Sequence, residues 1–168
     1  MPTDCLIIGV GNSLRGDDGA GWVLAEQLAA QLSTILAASG AESDAAVQVR
    51  LVQQLLPELA AEMADLEPKV LVIADCAAGA KTARLQRIEQ TAAGEPLDSH
   101  GLTAGQLLAF AVRLYEFSAD AWLATVPGFN FAHGAGLSDA TAAAIAAAAP
   151  AMSARLLALR QPAAQTPA

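Results

Sequence analysis

Basic residues are scarce in this chain: nine Lys and Arg stand against seventeen Asp and Glu over 168 residues, a formal charge of −8. A nucleic-acid binder needs a cationic footprint to displace counterions from phosphates, so that class is excluded. The same shortage removes electrostatic docking on anionic membranes. Cysteines number two, too few for a disulfide framework, and Cys5 lies in an apolar run where packing accounts for it. That usage fits a reducing, cytoplasmic setting. A basic leader is missing, and the first apolar run is too short for a signal-peptide core. The alanine-rich stretch 141–159 approaches the length of a membrane span, but Pro150, Ser153 and Arg155 interrupt it, and alanine drives insertion weakly. The expectation is a soluble single domain over residues 1–160, with a disordered Pro/Ala tail at 161–168.

Outside the alanine-rich stretch, long apolar runs are few, and each has the length of a strand. Residues 5–10 (CLIIGV) and 70–74 (VLVIA) are continuous β-type runs, the pattern of strands buried on both faces. Residues 121–126 (AWLATV) read as the last strand, closed by Pro127-Gly128, and 47–52 as the second. Residues 83–89 (ARLQRIE) alternate apolar with polar, as a half-exposed edge strand does. Between the strands, Trp22, Ala25, Leu28, Ala29 and Leu32 recur at helical spacing, and Pro57 opens a short helix through about Leu66. Thr103 and Gln106 form a capping box for a third helix, and Ser138 caps a fourth whose Ile145, Met152, Leu156 and Leu159 share a face. Residues 39–46 read as a linker and 91–100 as a loop. The alternation predicts an α/β fold: one three-layer domain, a mainly parallel five-stranded sheet with helices on both faces, and one antiparallel edge strand.

In such sheets ligands bind beyond the carboxyl ends of the strands, so residues just past a strand matter most. Gly9-Val10-Gly11 suggests a dinucleotide fingerprint, but the position of its third glycine is Leu14, and Asp17 and Asp18 would repel a pyrophosphate. Helix capping explains one of these two aspartates readily. The other is then free to face the crevice. Asp75, directly after VLVIA, can be a local turn former, or a ligand at the binding edge. His100 falls in a loop before a capped helix, on the same edge. Two carboxylates and an imidazole from three segments suit a borderline divalent metal with positions left for a substrate. His133 reads as a loop residue without such a role. The motif G-x-S-x-G is absent, and a Cys76–His100 thiolate dyad competes with simple packing of Cys76.

The blocks GVGNSLRGDDGAG, VLVIADCAAG, SHGLTAGQLL and FAHGAGLSDATAAAI, in this order over nearly the whole chain, resemble the hydrogenase maturation endopeptidases. These proteases trim the C-terminal extension from the large-subunit precursor of nickel–iron hydrogenases. The resemblance implies that Asp18, Asp75 and His100 are the metal-contacting and catalytic residues. It also implies that the nickel arrives with the precursor and that no serine or cysteine acts as nucleophile. PELA at 57–60 resembles the family as well, whereas Gln53 stands where a histidine is often seen and Leu56 where a hydroxyl cap is common. At the first metal position Asp18 reaches one methylene less far than a glutamate. The expected protein is a cytoplasmic, monomeric, nickel-dependent endopeptidase whose partner is a hydrogenase large-subunit precursor, with neither nucleic acid nor membrane as partner. The alternatives are a non-enzymatic metal- or nucleotide-binding α/β module and a general metal-dependent peptide hydrolase.

Overall fold

The apolar runs become the inner strands of a five-stranded sheet. The computed structural model describes residues 3–38, 46–90 and 101–160. The strands are β1 (Thr3–Val10), β2 (Ala46–Val52), β3 (Val70–Ala78), β4 (Arg84–Arg87) and β5 (Asp120–Gly128). Their order is β2-β1-β3-β5-β4, with every neighbouring pair parallel except β4 and β5. The half-exposed run at 83–89 is thus the antiparallel edge, as its alternation predicts. Each inner strand buries both faces. Cys5 and Ile7 of β1 and Val72 of β3 enter one core with Leu24, Leu28, Ile145 and Met152. Leu6, Ile8, Leu71 and Ile73 enter the opposite core with Met63 and Leu107.

The helices are α1 (Ala20–Ala38), α2 (Leu59–Leu66), α3 (Ala104–Tyr115) and α4 (Asp139–Arg160), with α1 and α4 on one face of the sheet and α2 and α3 on the other. The capping box at α3 is present: the Gln106 amide donates to Thr103 Oγ1 at 3.2 Å, and the Thr103 amide to Gln106 Oε1 at 2.9 Å. Ser138 accepts from the Thr141 amide at 3.3 Å at the start of α4. This helix is long and apolar enough to cross a membrane by length and composition. Its Ile145, Ala149, Met152 and Leu156 are nevertheless core residues of the domain.

Several boundaries differ from the sequence expectation. A 3-10 turn at Gly16–Gly19 precedes α1. Pro57 lies in a turn, and α2 starts at Leu59. Strands β3 and β5 run past Asp75 and Pro127, because their ends pair with each other as far as Ala78 and Gly128. The tail at 161–168, the loop 91–100 with His100, and all but the last residue of the linker at 39–46 lie outside the described residues.

Candidate active site

The chain leaves β1 for β2 on one side and returns to β3 on the other, so the carboxyl ends of β1 and β3 flank the topological switch point. Pairing between them ends at Gly9 and Ala74, which makes Asp75 the first β3 residue beyond it. Two glycines draw the first loop over this point. At Gly21 a Cβ would lie 2.1 Å from the Val10 carbonyl oxygen, 2.7 Å from that of Ala74 and 3.0 Å from Asp75 Cα, so α1 begins in direct backbone contact with both strand ends. At Gly11, φ is +147°, and a Cβ would lie 1.9 Å from the Asp18 carbonyl oxygen. That oxygen accepts the Asn12 amide at 3.2 Å. Only glycine permits either approach. The result places Asp18, on the 3-10 turn, within electrostatic range of Asp75.

Asp75 is partly buried, and its Oδ1 accepts the Cys76 amide at 2.7 Å. Burial pushes its pKa up from 3.8 to about 6; the Cys76 amide works against that shift, and the charge of Asp18 adds to it. The charge of Asp18, acting on a partly buried Asp75, favours a proton or a cation at Asp75. A pair of oxygen donors suits a borderline divalent ion when an imidazole joins it. Among the described residues no group of three His, Cys, Asp or Glu side chains could hold a metal. The third expected member, His100, lies outside the described residues. Gly101, which follows it, sits against the Leu55 carbonyl oxygen and Gln54, where a Cβ would meet them at 3.1 and 3.6 Å.

Asp17 does something other than cap its own helix, as the sequence had suggested. Its side chain is fully buried and accepts four hydrogen bonds: from the amides of Phe129, Asn130 and Ser138 at 2.7–2.8 Å, and from Ser138 Oγ at 2.8 Å. Burial alone would raise its pKa. The Ser138, Phe129 and Asn130 amides outweigh burial, with the Thr141 hydroxyl adding to them, and the carboxyl is held well below the usual range. Backbone bonds complete the clamp, from the Asp17 amide to the Asn130 carbonyl at 2.7 Å and from the Gly134 amide to the Leu14 carbonyl at 2.8 Å. Leu14 and Phe129 remain exposed on the two clamped loops. The adjacent acidic pair was the one sequence signal available: neighbours on a tight turn cannot both face the crevice.

Cys76 packs beside the first core, and burial pushes its thiol up to about 12, with the charges of Asp75, Asp17 and Asp18 adding to the shift. A thiol so disposed stays protonated at neutral pH and is a poor nucleophile. His133 is exposed in the loop before α4, as expected.

Fold and site together define a doubly wound α/β domain with a carboxylate pair at its switch point. No family model matches the chain, and no curated protein matches it by sequence. Solved structures match it in fold. The NiFe hydrogenase maturation protease HycI from Thermococcus kodakarensis aligns over 91% of this chain and 92% of its own, with TM-score 0.63 and 18% identity. The hydrogenase maturating endopeptidase HybD from E. coli aligns over 95% and 93%, with TM-score 0.62 and 24% identity. HybD from Thermococcus kodakarensis aligns over 94% and 99%, with TM-score 0.56 and 23% identity. The chain has the fold of the hydrogenase maturation proteases.

Proposed function

We propose that this protein is an endopeptidase of hydrogenase maturation, cutting the C-terminal extension from a nickel-loaded large-subunit precursor in the cytoplasm and acting as a monomer. One observation carries the reading: the charge of Asp18 acts on Asp75 at the switch point of a fold shared with solved hydrogenase maturation proteases. Asp18, Asp75 and His100 are the residues assigned to contact the nickel, which belongs to the substrate. Such an ion, when bound, supplies Lewis-acid polarisation of a carbonyl or a water. The chain contributes the rest. Asp75, with its pKa near 6, is mostly ionised at neutral pH yet close enough to titration to hold a proton. The fixed approach of α1 to β1 and β3 keeps Asp18 and Asp75 in one geometry before substrate arrives. Cys76, held protonated, is not assigned a nucleophilic role.

The test is incubation with nickel-loaded and nickel-free large-subunit precursor, followed by mass spectrometry. One defined C-terminal cut, made only in the loaded precursor, is expected. Asp75→Ala should slow single-turnover processing by at least about a hundredfold, since it removes both a metal contact and a positioning group. Cleavage of loaded and nickel-free precursor alike would favour a general peptide hydrolase. No processing by the wild-type protein across several precursors would favour a binding module.

A further inference from the structure

A cleft of about 490 Å³ opens at the carboxyl end of the edge strand β2, separate from the carboxylate pair. Val52, Leu56 and Leu59 supply apolar surface, Gln53 and Gln54 supply amides, and Glu58 is exposed on its rim. Glu62, which pairs with the Arg50 guanidinium, also lines the cleft. Both of its ends are bonded to the elements around the switch point. The Val52 carbonyl accepts the Gly11 amide at 3.0 Å and Trp22 Nε1 at 2.9 Å, which ties one wall to the loop leading to Asp18. The Leu55 carbonyl accepts the Leu102 amide at 3.2 Å, which ties the other wall to the start of α3.

The lining specifies what fits. A primary amide offers both donor and acceptor, the complement of a peptide unit with one N–H and one C=O. Two such amides beside an apolar surface suit an extended polypeptide that presents one apolar side chain. Glu58, on a chain of net charge −8, opposes a carboxylate in the same place. We infer that this cleft is a substrate subsite: it seats an extended segment of the polypeptide being cleaved, with an apolar side chain against Leu56 and Leu59, and it rejects acidic residues through Glu58. The inference rests on the peptidase reading above and adds to it a surface that selects the sequence beside the scissile bond.

The test uses steady-state processing of nickel-loaded precursor by the wild-type protein, Leu56→Asp and Glu58→Lys. Ile35→Asp, exposed near the far end of α1, is the control. Leu56 is already 43% exposed, so its replacement leaves the fold intact, and an unchanged denaturant midpoint verifies this. Leu56→Asp should raise KM about tenfold or more with kcat within about twofold, the signature of lost uniform binding. A set of precursors, each with one residue flanking the cut replaced by Asp, should reveal one position where the wild-type protein discriminates strongly. Glu58→Lys should relieve discrimination at that position alone. Normal processing with KM unchanged in Leu56→Asp, or with Asp discrimination unchanged in Glu58→Lys, overturns the subsite and leaves the peptidase reading standing. Failure of the wild-type protein to process any precursor overturns that reading, and the subsite with it.

Discussion

The loop carrying Asp17 and the strand carrying Asp75 meet at the same edge of the sheet, yet their carboxylates have opposite surroundings. Asp17 is fully buried and receives four hydrogen bonds, three of them from backbone amides. Asp75 is partly open, receives one from the described residues, and feels the charge of a second carboxylate, Asp18. Burial by itself therefore does not mark a functional acid. Among the described residues, what separates the two is how many donors reach each carboxylate. A satisfied carboxylate holds structure together, whereas an unsatisfied one stores electrostatic energy that a proton or a cation can release.

The sharpest way to break this contrast is Asp17→Ala. Four donors lose a buried acceptor at once, so the variant should lose about 3–5 kcal/mol of stability, measured by chemical denaturation at pH 7. The pH dependence has a definite sign. Asp17 has its pKa depressed on folding, so its contribution is present above 3.8 and is lost as pH falls through the lower folded value. A loss under about 1 kcal/mol would reduce Asp17 to an ordinary cap. Asp75→Asn should act in the opposite direction. A carboxyl raised from 3.8 to about 6 favours the folded state most below pH 3.8, and that contribution fades as pH rises through 6. Replacing it with a neutral amide should thus stabilise the protein at pH 7 by about 1–3 kcal/mol and flatten the stability profile between pH 4 and 6, while processing is lost. A destabilised Asp75→Asn protein would mean that the charge is compensated after all. The smallest effect is expected at Cys76. Cys76→Ser should retain processing within a few-fold, and the wild-type thiol should alkylate at pH 8 at least about tenfold more slowly than free cysteine. Rapid alkylation coupled to loss of turnover would restore the thiolate reading.

Much of the fold was legible because its signals are local. The runs at 5–10 and 70–74 are apolar throughout, since both faces of the inner strands are covered, and the alternation at 83–89 reports an edge with one face in solvent. The Thr103–Gln106 box is a four-residue signal and appears as read. Non-local pairing was not legible. The residues Asp75–Ala78 and Pro127–Gly128 carry turn-like composition, and they are strand only because each supplies the other's partner. The positions of Asp18 and Asp75 after strands pointed to the same edge of the sheet, and the charge of Asp18 acts on Asp75. The role of Asp17 was not, because its partners lie 112 to 121 residues downstream and nothing near it in sequence announces them. The cleft at 53–59 escaped notice for a related reason. It is formed by the gap between a strand end and a helix that begins two residues after Pro57, and composition does not encode a gap.

The long-range clamp on Asp17 also has a consequence in time. A ribosome releases the loop around Asp17 early, but Phe129, Asn130 and Ser138 emerge only after most of the chain has been made, and α4 follows them. Until then α1 lacks the Ile145, Met152 and Leu156 side chains that complete its core, and the first loop lacks the donors that lock it. Closing so long a loop costs entropy that only the finished contacts repay. The nascent chain therefore carries its acidic residues from the start but acquires their fixed arrangement last, so a prematurely terminated product would hold the chemistry without the geometry to use it.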